Sequence, residues 1–202
     1  KWHAANAAQK LESLRVQYQN ADGAEQREQI ALWMGYYGGL VEALPHLKVC
    51  LPTLTFNDQL EIHGSKLSAR LITFEGGHTG SDTVLYIPLA GILFLSDLLF
   101  VGCHPYLGDG DPHLLLKALH EISRLEVEVC VPGHGGLGTQ ADVQLEIAYI
   151  EDCLTTAQRL VEKGTINEDH IHTFLIPQKY QRWQQSQFYH SNIQYLCGRL
   201  RE

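Results

Sequence analysis

Apolar positions recur with helical spacing over the first 48 residues of this chain. Residues 4–20 are rich in Ala, Gln, Leu and Glu, and residues 24–44 include Ile30 and Trp33 among their regularly spaced apolar positions. The segment Asn20–Gly23 interrupts the pattern. The sequence therefore predicts two helices, and two adjacent helices of this kind are typical of a helical hairpin.

From residue 49 the apolar runs become short and the spacing is that of β-strands. Turn-forming pairs, Asn57-Asp58 and Gly64-Ser65, separate the first of these runs. The predicted strands are 54–56, 59–63, 66–74, 83–87, 91–96 and 127–131.

Helical spacing returns in the second half of the chain. Asp111, followed by proline at the first helical position, predicts the start of a helix over about 112–124. An amphipathic pattern predicts a longer helix over 140–163, and Gly164 ends it. The tail, 165–202, is mostly helical in pattern, with aromatic residues at roughly helical spacing.

The order of elements predicts one α+β domain over 1–202, with a mixed β-sheet flanked by helices. It comprises a helical segment at 1–48, a core at 49–164 and a helical C-terminal tail at 165–202. The chain has no internal repeats and no convincing linker.

Composition restricts the partners. A net charge of −8 makes nucleic-acid binding through phosphates a poor expectation. No apolar run approaches the length of a membrane span, and no signal peptide is visible. The five cysteines are odd in number and none are in CxxC spacing, which indicates reduced thiols and a cytoplasmic protein. Eleven histidines raise the expectation of a metal site.

Three loops place a metal-capable side chain directly after a β segment. His78 lies between glycine-containing turns, Asp97 follows the apolar run 92–95, and His134 lies between Pro-Gly and Gly-Gly. His78 can equally be a polar turn residue, and Asp97 can cap the following turn. His134 is the most specific of the three, because a histidine enclosed by so much backbone freedom rarely serves packing.

Taken together, the three segments resemble the motifs of the metallo-β-lactamase superfamily. They are Gly-His78-Thr-x-x-Asp, an apolar strand ending in Ser-Asp97, and Val-Pro-Gly-His134-Gly. The segment 97–112 also resembles its glyoxalase-like branch. The resemblance implies the second half of an αβ/βα sandwich and two metals, usually zinc. It implies His78 on the first metal, His134 on the second and Asp97 bridging them. A metal-bound hydroxide would then attack a small-molecule substrate, which would be a small ester or thioester.

The family's His-x-His-x-Asp-His segment is missing upstream of His78. The one His-x-His here, His170-Ile-His172, comes after His134 and is interpreted as polar surface. Each metal would keep one histidine and a shared carboxylate, so we expect weak or partial zinc occupancy and little activity. The chain starts at Lys1, and its one methionine is Met34. Two explanations remain: a fragment, which the missing initiator methionine favours, or a degenerate relative that acts as a non-catalytic binding or scaffold module.

Other residues have weaker claims to a role. The resemblance places His104, Tyr106 and Asp109 in a loop near the mouth of the site, although Gly-Asp-Gly-Asp-Pro is also a strong turn and helix-cap signal. Asp82 can accept a hydrogen bond from a ligand histidine or cap its own loop. The side chains expected to be surface residues or at most weak nucleophiles are His63, His113, His120, Cys103 and Cys130.

The resemblance also carries an expectation about association. The family core has two sheets, and this chain would supply mainly the second. An apolar sheet face would then be exposed, and we expect aggregation or homodimer formation through it.

Overall fold

The chain divides into two units, Lys1–Thr55 and Phe56–Glu202. The computed structural model describes residues 2–164, 171 and 174–201. His170 and His172 of the His-x-His pair therefore lie outside the described residues. The expectation of one domain over 1–202 stays a prediction, and each unit is described by itself.

The first unit contains the predicted helical pair. Helix α1 spans Trp2–Asn20 and helix α2 spans Ala24–Ala43. They pack against each other through small and apolar side chains, of which Ala7 and Leu14 are buried. A 3-10 turn at Leu44–His46 follows α2. Residues 54–56, which the sequence predicted as a strand, have no regular secondary structure.

The second unit contains a five-stranded mixed sheet whose strand order is β1-β2-β3-β4-β5. Strands β1 to β4 are antiparallel neighbours, and β5 runs parallel to β4. A parallel pair needs a long crossover, and helix α3 lies in it. The strands are β1 Gln59–His63, β2 Ser68–Phe74, β3 Asp82–Ile87, β4 Ile92–Val101 and β5 Val129–Gly135.

The helices described with this sheet are α3 Pro112–Ile122, α4 Gln140–Glu162 and α5 Gln187–Arg199. The start of α3 is capped as predicted, because the Asp111 carboxylate accepts hydrogen bonds from the amides of His113 and Leu114. Helix α4 begins with a capping box in which Thr139 and Asp142 satisfy each other's backbone amides. These caps fix the residues at which the two helices begin.

The two faces of the sheet differ in burial. In β4, Leu93 and Leu95 are fully buried in the core that α3 and α4 help to form, whereas Phe94 is 39% exposed. This is the period-2 alternation of a strand with one buried face. Ile62 of β1 is 50% exposed. No helix in the described part of the chain is long and apolar enough to cross a membrane.

Candidate metal centre

The side chains of His78, Asp97 and His134 meet at one end of the β4–β5 pair. His78 Nε2 lies 3.8 Å from Asp97 Oδ2, and His134 Nε2 lies 3.6 Å from Asp97 Oδ1. Each carboxylate oxygen thus faces a different imidazole. Tetrahedral ligands of one zinc ion are about 3.3 Å apart, from bond lengths near 2.0–2.1 Å. The two separations are slightly longer than that value.

Strand β4 continues beyond Asp97, although the sequence predicted that a strand would end there. The register with β5 shifts between Phe94 and Ser96 and again between Ser96 and Phe100. Ser96 has a φ of 50°, a left-handed conformation that costs on the order of 1–3 kcal/mol in a residue other than glycine. The irregularity leaves the Asp97 side chain 41% exposed, so this carboxylate avoids the full cost of burial.

His134 lies within strand β5, although the sequence predicted a loop from Pro132. The preceding Gly133 permits this approach, because a Cβ there would overlap Asp97 Oδ1 and lie 2.8 Å from the Ser96 carbonyl carbon. Gly135 has a φ of 94°, which favours glycine. The predicted glycine-rich environment of His134 therefore brings β5 close to the Asp97 backbone.

Asp82 organises the loop that carries His78. Its carboxylate accepts hydrogen bonds from the His78 amide at 2.8 Å and from the Thr79 hydroxyl at 2.7 Å. It also accepts from the Thr79 amide at 3.2 Å. Of the two roles considered for Asp82, these contacts correspond to capping the loop. They hold the His78 backbone, whereas the ring nitrogen Nδ1 is buried and has no partner among the described residues.

Two residues that sequence reasoning missed support the histidines. The Phe100 ring stacks on the His134 imidazole, with centroids 4.8 Å apart and planes at 15°, and lies 5.8 Å from the His78 ring. The Phe100 amide donates to Glu146 Oε2 at 2.7 Å. A signal for Glu146 was available, because it is a charged residue on the apolar stripe of α4 together with Val143, Ile147 and Ile150.

The loop after β4 packs on the His78 loop. The Asp111 amide donates to the Gly76 carbonyl at 2.8 Å, and Gly110 is so close to Gly77 that a Cβ would overlap the Gly77 carbonyl. Helix α5 holds this loop, because Arg199 pairs with the Asp111 carboxylate at 2.9 Å. The predicted loop therefore adjoins the site.

The residues of the loop after β4 differ in their exposure to solvent. Tyr106 is 36% exposed and packs on the Phe188 ring, and Asp109 is exposed. His104, predicted near the mouth, is instead fully buried, with Nδ1 3.1 Å from the Tyr149 hydroxyl and its ring against Trp183. Burial lowers the pKa of His104 to about 4. The aromatic residues of the C-terminal tail enclose His104, so its side chain belongs to the core.

The cysteines near the site are poor nucleophiles. Cys103 and Cys130 are buried free thiols. Burial raises the pKa of both thiols, that of Cys130 to about 11. Thiolate, the reactive form, is therefore scarce at neutral pH.

The donor set fits part of a zinc centre. Two imidazole nitrogens and a carboxylate are ligands that zinc accepts, and both rings present Nε2 to the same carboxylate. However, among the described residues no group of three or more His, Cys, Asp or Glu side chains is arranged so that it could hold a metal ion.

Comparisons with known proteins identify the family to which the chain is similar. A model of the metallo-beta-lactamase superfamily matches residues 11–134. A solved metallo-beta-lactamase family protein from Thermus thermophilus is 18% identical, with a TM-score of 0.56 over 75% of this chain and 50% of that one. The sec-alkylsulfatase of Pseudomonas sp. is 15% identical, with a TM-score of 0.52 over 73% of this chain and 26% of that one.

The matches cover between 26% and 54% of the length of these solved proteins. A metallo-beta-lactamase from Pontibacter korlensis is 24% identical, with a TM-score of 0.47, and the match covers 55% of this chain and 54% of that one. No curated protein sequence matches the chain.

Proposed function

The chain belongs to the metallo-β-lactamase superfamily, and from this premise we propose that it carries part of the zinc centre of a hydrolase. The observation that carries the proposal is the placement of Asp97 between two imidazoles, with one carboxylate oxygen toward each. His78 would hold the first ion and His134 the second, and Asp97 would bridge them. Bound zinc would polarise the substrate carbonyl and supply a nucleophile at neutral pH.

Three residues of the chain hold the proposed ligands in position. Asp82 fixes the loop of His78, Gly133 lets β5 approach Asp97, and the Phe100 ring limits the orientations open to His134. Such supporting contacts orient the metal ligands, and their loss typically lowers metal affinity or activity about 10–100-fold. With three protein donors for two ions, we expect partial occupancy.

The proposed substrate is a small ester or thioester. The support for this class is the glyoxalase-like segment 97–112, which packs on the His78 loop through Asp111 and Gly110. Tyr106, which is 36% exposed, and Asp109 are exposed side chains of this segment besides Asp97. The five free thiols support a reducing, cytoplasmic setting.

A second function is a non-catalytic binding or scaffold module that keeps the fold. The observation favouring it is that, among the described residues, no group of three or more His, Cys, Asp or Glu side chains could hold a metal ion. The two functions differ in whether bound zinc gives turnover.

Zinc content and affinity of the purified chain test the proposal. We expect weak binding that His134→Ala and Asp97→Asn abolish. His120→Ala, which changes an exposed histidine on α3, should bind as the unchanged chain does. Equal zinc binding by all four proteins, with unchanged circular dichroism spectra, would rule out the ligand assignment. Zinc-dependent hydrolysis of a thioester, lost with chelator, supports the hydrolase, whereas binding without hydrolysis supports the non-catalytic module.

A further inference from the structure

A carboxyl group is fully buried beneath the candidate metal centre. Glu146 of α4 is 1% exposed, and its Oε1 has no hydrogen-bond partner among the described residues. Burial raises the pKa of Glu146 well above its ordinary value. An apolar residue would fill this position of the helix stripe at lower cost, so the carboxyl needs an explanation beyond packing.

The single hydrogen bond that Glu146 makes within the described structure is to a residue of the irregular part of β4. Its Oε2 accepts from the Phe100 amide at 2.7 Å, across 46 residues of sequence. Phe100 follows the second register shift between β4 and β5, where it lies opposite His134. The carboxyl thus satisfies a buried amide at the point where the strand pairing resumes.

Phe100 transmits this contact to the two histidines. Its ring stacks on His134 and also contacts His78, and its position depends on where the strand backbone is held. A shift of the Phe100 backbone would move the ring against which both imidazoles rest. Neither histidine is hydrogen-bonded to Glu146 in the described structure. The contact that links Glu146 to the two imidazole rings is therefore the one through Phe100.

We infer that Glu146 is a positioning residue for the metal centre: through the Phe100 amide it fixes the aromatic surface that sets the orientation of His78 and His134 toward Asp97. The zinc part of this inference rests on the proposed function, whereas the part concerning ring orientation does not. Loss of a residue that orients a ligand typically costs 10–100-fold in metal affinity.

The primary test uses histidine ring resonances of the metal-free chain. Phe100 stacked on His134 shifts the His134 ring protons by its ring current. In Glu146→Leu, which cannot accept the bond, these signals should move and the Phe100 amide should exchange faster with solvent. In Glu146→Gln, whose amide oxygen can still accept, they should stay near their original positions. Equal spectra for Glu146→Leu and the unchanged chain would overturn the inference.

Tyr149→Phe is the matched control. Tyr149 is also a buried polar residue of α4, but its hydroxyl bonds to His104 and Asn192 and not to β4. This variant should lower stability without moving the His134 signals. If it moves them as far as Glu146→Leu does, the effect is a general loosening of the core and the inference fails.

Zinc titration provides a second readout, and Phe100→Leu keeps the test decisive if Glu146→Leu does not fold. Glu146→Leu and Phe100→Leu should each weaken zinc binding about 10-fold or more. Their combination should be no worse than either alone, because both act through one contact. Phe100→Leu with unchanged affinity would overturn the inference. If zinc binding also survives His134→Ala, the proposed function fails separately, and the metal-free spectra still decide the role of Glu146.

Discussion

Gly133 lies directly against the carboxylate of Asp97. A Cβ at position 133 would overlap Asp97 Oδ1 and would lie 2.9 Å from the Asp97 amide nitrogen. The close approach of β5 to β4 therefore depends on the absence of a side chain. The glycine at position 133, next to His134, therefore determines how closely the β5 backbone can approach the Asp97 carboxylate.

Gly133→Ala should consequently displace Asp97 and impair metal binding. We expect zinc affinity to fall at least about 10-fold, since the Asp97 carboxylate must move, and stability to fall by about 1–3 kcal/mol from overpacking. Gly136→Ala is the matched control, because a Cβ there meets nothing within 4 Å. Similar affinities for the two variants by zinc titration would contradict the structural role of Gly133.

Asp82 provides a second prediction, on the His78 loop. Asp82→Ala leaves the partly buried His78 amide and the Thr79 amide without their acceptor, so we expect the unfolding free energy to fall by about 1–3 kcal/mol. Asp82→Asn keeps one acceptor oxygen and should lose less. Urea unfolding measures both. A loss in Asp82→Asn as large as that in Asp82→Ala would show that charge, and not loop hydrogen bonding, is the main contribution.

Much of this arrangement was predictable from local sequence. The order of strands and helices, the cap at Asp111 and the end of α4 near Gly164 follow from periodicity and turn chemistry. The three candidate ligands were found because each follows an apolar run. The superfamily, the α+β fold class and the mixed sheet are confirmed.

Features that depend on distant pairing were not predictable. The continuation of β4 beyond Asp97 and of β5 through His134 depends on the register between two strands that are separated by a helix. His104 has the sequence context of a loop histidine and is buried because aromatic residues some 80 positions later pack around it. The Glu146–Phe100 bond likewise joins separate elements, although a charge on an apolar helix stripe was a visible signal.

The apolar face of the sheet leads to a third prediction. Phe94 and Ile62 are 39% and 50% exposed. Burying the part of these side chains that is still exposed is favourable by about 1 kcal/mol each, so we expect the chain to self-associate through this face. Phe94→Ser should weaken association about 10-fold in analytical ultracentrifugation. Leu89→Ser, at a 79% exposed position in the 3-10 turn between β3 and β4, is the control, and an equal effect there would exclude the sheet face.

Glu146 should make stability fall as the pH rises. Because its pKa is raised in the folded chain, the folded state holds a proton that the unfolded state releases above about pH 4.5. The stability contribution is complete below that pH and is lost as the pH rises toward the folded pKa. Glu146→Gln, which does not titrate, should therefore be relatively more stable at pH 8 than at pH 5 in urea unfolding. A constant difference between the two proteins across this range would show that Glu146 does not titrate on unfolding.

His104 should act in the opposite pH range. Its pKa is lowered from 6.5 to about 4 in the folded chain, mainly by burial and also by the nearby His190, while the Tyr180 backbone opposes the shift. Between these values the unfolded state binds more protons, so stability is lost as the pH falls from about 6.5 to about 4, by up to about 3 kcal/mol. His104→Phe should remove this part of the pH dependence in urea unfolding. The exposed His120→Gln should retain it, because His120 lies outside the aromatic cluster that encloses His104. If His104→Phe loses stability as steeply as His120→Gln over that range, another group is responsible for the acid sensitivity.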